Sequence, residues 1–250
     1  MPADLTVVFY TSNHLPEPPM LKIRERLALS CRGFPIVSVS QKPIAFGENI
    51  CVGEIGANSY NLYKQVLIGA KAAKTEFVSL CEDDCLYPPS HFTNARPTDF
   101  GYNMNRWILH TWDKNPIYSY KTRHCLHALI CPRDLLVEHL EERFSKNHIQ
   151  DQITRHYGEP GRWMHEQCLG VTRRPLSGWK SPDPCIIFMH PYSLNYKLQG
   201  DRRAYGRDAE PTVTLAPWGN AKELIEHYWI TAKAVQNHSP DMTKIREMGY

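Results

Sequence analysis

The sequence predicts an α/β fold in which a mostly parallel sheet is flanked by helices. Three observations predict it. The first ninety residues alternate between short, β-rich apolar runs and longer segments with helical spacing. The connections between them are short, as in strand–helix–strand units. The third apolar run ends directly in Glu82-Asp83-Asp84, and open parallel sheets bind ligands beyond the carboxyl ends of their strands.

LTVVFY (5–10) is a buried strand. PEPPMLKIRERLALSCRG is a helix, with Pro19 in its first turn, Met20, Ile23 and Leu27 on one face, and Gly33 just past its end. FPIVSVS (34–40) is a second strand, followed by a loop that contains Pro43, Gly47 and Gly53. SYNLYKQVLIGAKAAK is a helix: Tyr60, Tyr63, Val66, Leu67 and Ala70 share a stripe that Lys64, Lys71 and Lys74 avoid. TEFVSLC (75–81) is the strand that feeds the acidic triplet.

The second half is less regular. DFGYNMNRWIL and HALICP read as strands, and PRDLLVEHLEERF reads as a helix with Pro132 at its first turn. A Gly/Arg/Trp-rich stretch precedes the apolar strand CIIFMH (185–190). Residues 197–218 are polar and basic with little periodicity, expected as a mobile loop. AKELIEHYWITAKAVQ is a final helix, with Asn220 and Glu223 in capping-box spacing.

A chain of 250 residues suits one domain. The expected division is 1–95 as a donor-binding half, 96–220 as an acceptor-side half with the basic loop, and 221–250 as the C-terminal helix. No apolar run approaches the ~18 residues of a membrane span. The N-terminus lacks the basic start and long apolar middle of a secretory signal, so the expected compartment is the cytoplasm. The eight cysteines form no CxxC pair and several sit in apolar runs, which points to reduced, buried thiols. The net charge of +3 is small, but residues 171–207 carry Arg173, Arg174, Lys180, Lys197, Arg202, Arg203 and Arg207 against only Asp183 and Asp201. That segment is expected to attract phosphates.

FVSLCEDDCLYPP carries the chemistry. Three acids at the end of an apolar strand repel one another and have lost part of their hydration, and a hard divalent cation relieves both problems. Magnesium or manganese there can bridge a diphosphate and neutralise charge on a leaving nucleoside diphosphate. The plainer alternative is a solvated acidic turn.

In this order of elements the sequence resembles the GT-A glycosyltransferases, whose fold is Rossmann-like. Their first strand ends near the nucleotide base, and a helix and a further strand then lead into a DxD-type motif. LTVVFYTSN, SYNLYKQVLIGAKAAK and FVSLCEDDCLYP follow that order, and NSYNLYKQVLIGAKAAKTEFVSLCEDD is similar to the corresponding run of family 2-like members. The similarity covers about residues 4–90. It departs in having Glu82 where many members have Asp. The resemblance implies a UDP-sugar or other nucleotide-sugar donor and a Mn²⁺ or Mg²⁺ ion. It implies Asp84 as the principal metal ligand, with Glu82 toward ribose or metal and Asp83 on the donor side. Thr11 and Asn13 would lie near base and ribose, and Lys64 within reach of the donor. His190, at the end of CIIFMH, would be a further metal ligand, and Lys197 a diphosphate contact. An inverting transfer needs a general base; Glu166 in GRWMHEQCLG is the candidate and Asp151 the reserve. A retaining transfer needs neither.

Two rivals remain at this level. A zinc or nucleic-acid module could use Cys81-x3-Cys85 with His124-Cys125-x-His127, but these are not finger spacings, and Cys81 and Cys85 are expected to face a core. A nucleotidyltransferase would also use paired acids and a metal, but no GxGxxG or Walker pattern is present. For the acceptor, Arg173, Arg174, Arg202, Arg203 and Arg207, interspersed with Trp179, Tyr192, Tyr196 and Tyr205, suit a soluble polyanion. In architecture and charge the chain resembles the viral GT-A enzymes that glycosylate hydroxymethylated DNA bases. The favoured expectation is therefore a 5-hydroxymethylated pyrimidine in DNA, and the alternative is a glycan or saccharide precursor.

Overall fold

The computed structural model describes residues 3–120, 122–147, 158–193 and 209–229. It confirms the mixed α/β architecture. The elements run β1 (Leu5–Thr11), α1 (Glu17–Ser30), β2 (Ile36–Ser40), β3 (Glu48–Cys51), α2 (Ser59–Ala72), β4 (Phe77–Glu82), β5 (Cys85–Leu86), α3 (Pro89–Thr93), β6 (Phe100–Asn103), β7 (Arg106–His110), β8 (Ser119–Tyr120) and β9 (Leu129–Pro132). They continue as α4 (Arg133–Lys146), α5 (Trp163–Leu169), β10 (Leu176–Trp179), β11 (Cys185–Met189), β12 (Thr214–Leu215), β13 (Gly219–Asn220) and α6 (Ala221–Tyr228).

The main sheet has seven strands in the order β10-β6-β9-β4-β1-β2-β3. It is parallel except at β9, which runs antiparallel to both β4 and β6. A four-stranded sheet, β5-β11-β7-β8, lies against it. Every residue of β1 is buried, because both faces of the main sheet are covered. The period of two along a strand separates the faces. Val8 and Tyr10 pack with Tyr63, Val66 and Ala70 of α2 and Leu136 and Leu140 of α4. Leu5, Val7 and Phe9 pack instead with Leu27 of α1, Phe92 of α3 and Cys185 and Ile187 of the second sheet. Helix α2 sits close because Gly69 faces β1: a Cβ there would stand 2.5 Å from Val8 Cγ1.

Four expectations are corrected. The loop after β2 contains β3, an edge strand too polar to show a buried pattern; Asn49 Nδ2 donates to Ser38 Oγ and Ser40 Oγ, both at 2.9 Å. DFGYNMNRWIL is two strands in different sheets. Asn103 Oδ1 accepts the Asn105 N–H at 3.0 Å, an Asx turn that takes the backbone out of the ladder. The stretch before β11 contains β10, which pairs with β6. The final helix ends at Tyr228, with residues from 230 onward outside the described set. Its cap is as expected, Asn220 Oδ1 accepting from the N–H groups of Lys222 and Glu223. Of the expected basic loop, 197–208 lies outside the described residues, while 209–218 includes β12.

Candidate active site

The register of the two central strands builds the site. In the parallel β1–β4 pair, Tyr10 stands opposite Glu82, so the strands end flush and Thr11 meets the start of the acidic turn. The Tyr10 hydroxyl donates to Glu82 Oε1 at 2.6 Å, and the Glu82 N–H donates to the Tyr87 hydroxyl at 3.1 Å. The other carboxylate oxygen, Oε2, lies 3.5 Å from His127 Nδ1. The Thr11 hydroxyl donates to Asp83 Oδ2 and accepts the Asn13 N–H at 2.9 Å. The three acids thus diverge: Glu82 toward Tyr10 and His127, Asp83 toward Thr11, and Asp84 toward β11.

At β11 the Phe188 N–H donates to the Asp84 carbonyl at 2.9 Å, and His190 Nε2 lies 3.3 Å from Asp84 Oδ2. The structure therefore joins Asp84 and His190, some hundred residues apart in sequence. The Tyr192 N–H donates to His190 Nδ1 at 3.2 Å, so the neutral ring carries its proton on Nε2 and presents it to Asp84. Ligation through Nε2 requires the opposite tautomer and the loss of the Tyr192 contact. The ring also stacks on Trp229, centroids 5.0 Å apart.

The carboxyls do not share one titration. Burial, with the charge of Asp84 beside it, raises Asp83 above the ordinary carboxylate range, against the Thr11 hydrogen bond. Burial also acts to raise Asp84, but His190, by hydrogen bond and charge, and His127 outweigh it and hold Asp84 low. Cys85 Sγ lies 3.1 Å from Asp84 Oδ1, and burial pushes its thiol well above the usual range.

Other expected residues stand elsewhere. Asn13 has φ 56° and uses Oδ1 to accept the Gln41 and Lys42 N–H groups at 2.8 and 2.9 Å, so its carboxamide ties the loops after β1 and β2 together. Lys64 is exposed, its ammonium 6.0 Å over the Tyr60 ring. The α2 residue that reaches the end of β1 is buried Gln65, whose Nε2 donates to the Thr11 carbonyl at 2.9 Å and the Val39 carbonyl at 3.0 Å.

Glu166 is only 1 % exposed; Oε1 accepts the Gly161 N–H at 2.7 Å and lies 3.8 Å from His139 Nδ1, and Oε2 faces the Arg174 N–H at 3.4 Å. The expected base is thus a buried carboxylate engaged by backbone N–H groups. Arg174 is likewise engaged, Nη1 donating to Glu142 Oε2 at 2.7 Å, whereas Arg173 is exposed. Asp151, Lys197, Arg202, Arg203 and Arg207 lie outside the described residues.

Sequence reasoning missed Tyr10 and Gln65, and named His127 only within the zinc rival. Tyr10 sits in an apolar run that reads as core, Gln65 lies off the apolar stripe of its helix, and His127 reaches Glu82 only because β9 returns antiparallel beside β4.

No family model matches the chain, and a search of curated proteins finds no match. Among solved structures it is similar to S. aureus TarS 1-349 in complex with UDP-GlcNAc, at 12 % identity over 78 % of this chain and 61 % of that one, with a TM-score of 0.40. It is similar to a glycosyltransferase involved in glycosylation of the major capsid of PBCV-1, at 13 % identity over 92 % and 100 % of the two chains, TM-score 0.40. It is also similar to the inositol-1-phosphate CTP transferase from T. maritima, at 11 % identity over 80 % and 97 %, TM-score 0.43. The chain spans less than two thirds of the length of the TarS chain. At these identities and TM-scores the likenesses assign no residue and no activity to this chain.

Proposed function

We propose that the chain is a divalent-cation-dependent glycosyltransferase that takes a nucleotide-sugar donor. One observation carries the reading: Glu82, Asp83 and Asp84 stand where the central parallel strands β1 and β4 end, with an imidazole beside Glu82 and another beside Asp84, at the edge where such sheets hold nucleotides. Carboxylate and imidazole donors fit a divalent ion, with Asp84 and Glu82 as its holders and His190 beside them. When bound, the ion neutralises charge on a leaving diphosphate. The protein's own groups do the positioning. Tyr10 orients Glu82, Thr11 orients Asp83, and Gln65 with Asn13 keeps the strand end and its loops in place to form the donor floor. In the transfer, an acceptor hydroxyl oxygen bonds to the anomeric carbon, the bond from that carbon to the diphosphate breaks, and the hydroxyl proton leaves to a base.

The favoured acceptor is a 5-hydroxymethylated pyrimidine in DNA. Supporting it, a groove of about 510 Å³ is lined by Trp163, Met164, Arg162, Arg173 and His124, with the Trp163 and Met164 side chains exposed. A base can stack on the indole while a phosphate meets Arg173. A glycan acceptor uses the same indole without the phosphate.

The test is nucleoside diphosphate release from a panel of nucleotide sugars with manganese, with and without 5-hydroxymethylcytosine DNA. Release stimulated by that DNA, with a matching mass gain on the base, is the expected result. Metal-dependent release without DNA stimulation overturns the acceptor and redirects it to glycans. No release from any donor overturns the glycosyltransferase reading in favour of nucleotidyl transfer.

A further inference from the structure

Carboxylates alone favour a hard cation, but the groups gathered at the acidic turn are not carboxylates alone. Ligand atoms of Glu82, Cys85 and His127 lie within 4.8 Å of one another. Each arrives by a different route: Glu82 closes β4, Cys85 opens β5, and His127 lies in the 3-10 turn before β9. The Tyr10 hydrogen bond occupies Glu82 Oε1 and leaves Oε2 on the His127 side. His127 is 8 % exposed and turns Nδ1 to Glu82 Oε2 at 3.5 Å. Cys85, 1 % exposed, directs its thiol at Asp84 Oδ1, with the Tyr87 hydroxyl also beside it.

We infer that Glu82, Cys85 and His127 are three protein ligands of one borderline-soft divalent cation, zinc being the type. Sulfur, nitrogen and oxygen donors in one compact set are the chemistry of four-coordinate zinc, and three protein ligands leave a position open. An oxygen of the donor diphosphate or a water takes that position. Binding replaces the thiol proton by the metal and releases it to solvent. This deepens the reading above by naming the cation, since a thiolate at the site discriminates against magnesium; it rests on that reading only in tying the ion to donor turnover.

The test loads the chelator-stripped full chain with cobalt(II) alone. The expected result is one tightly bound equivalent with a sulfur-to-cobalt charge-transfer band, displaced by zinc but not by excess magnesium. The band is lost, and cobalt binding weakened at least about tenfold, in Cys85→Ser. A Cys51→Ser/Cys168→Ser variant, which removes the two exposed thiols, keeps the band. X-ray absorption on zinc-loaded wild type, which needs no variant to fold, is expected to count one sulfur at roughly 2.3 Å. Cobalt bound without sulfur character, a band that survives Cys85→Ser, or no cobalt binding overturns the inference. Manganese-dependent diphosphate release without a sulfur band overturns the zinc site and leaves the transferase standing. A sulfur band with no release from any donor does the reverse.

Discussion

Tyr10 and Glu82 are direct partners across the parallel β1–β4 pair, and the tyrosine hydroxyl holds one carboxylate oxygen at 2.6 Å. The contact decides which oxygen of Glu82 faces inward. Tyr10→Phe keeps the ring in the core and removes only that donor. Divalent-metal affinity is expected to fall about 10–100-fold, as for loss of an outer-shell partner, with stability changed by only about 1 kcal/mol. Metal titration alongside urea unfolding checks both.

Asp84→Asn keeps the shape of the side chain and removes its charge. Metal-dependent donor turnover is expected to fall at least about 100-fold, the scale of losing one group that stabilises developing charge. The circular dichroism spectrum should stay that of wild type. Retained turnover would remove Asp84 from the metal site.

Gly69 lets α2 lie on β1. In Gly69→Ala the new methyl meets Val8 and Val39, where overpacking costs about 1–3 kcal/mol, and better helix propensity returns up to about 1 kcal/mol. A net loss of stability is expected, read as a lower urea midpoint with an unchanged slope.

His91 and His139 are fully buried, and burial lowers them to about 3 and about 2. The native rings stay neutral while the unfolded chain takes up protons below about pH 6.5. The stability each contributes is therefore present above about 6.5 and is lost as pH falls toward its native value, by up to about 1.4 kcal/mol per pH unit and ring. The raised Asp83 acts in the opposite sense over part of this range, so the comparison must isolate one ring. His91 Nδ1 accepts from Asn103 Nδ2 at 3.0 Å and Nε2 faces Ser79 Oγ at 3.2 Å, and a glutamine offers both an acceptor and a donor without titrating. In His91→Gln the acid limb of a stability–pH curve between pH 6.5 and 4 is expected to lose about one proton's slope. An unchanged slope would show that His91 titrates normally.

The legible parts of this chain were those with one strong local signal. β1, α1, β2, α2, β4 and β11 combine buried apolar runs or helical stripes with Pro, Gly or Asn punctuation, and all were readable within a few residues. β3 and β10 were not, because polar edge strands take their partners from elsewhere in the chain and have no pattern of their own. The same holds for the site. Glu82, Asp83 and Asp84 were conspicuous as acids ending an apolar strand, whereas Tyr10 looked like core, Gln65 carried no signal, and His127 stood out only in a zinc pattern with Cys85 that lacks finger spacing.

The sequence by itself determined a helix-flanked sheet and an acidic turn at the end of its central strand, because burial period and strand-end charge are properties of contiguous residues. Only the tertiary structure decided which way each carboxylate turns, that Glu166 and Arg174 are spent on internal contacts, and that Cys85, His127 and His190 meet the acids. Those facts depend on strand register and on an antiparallel return between distant segments, which local residue order does not encode.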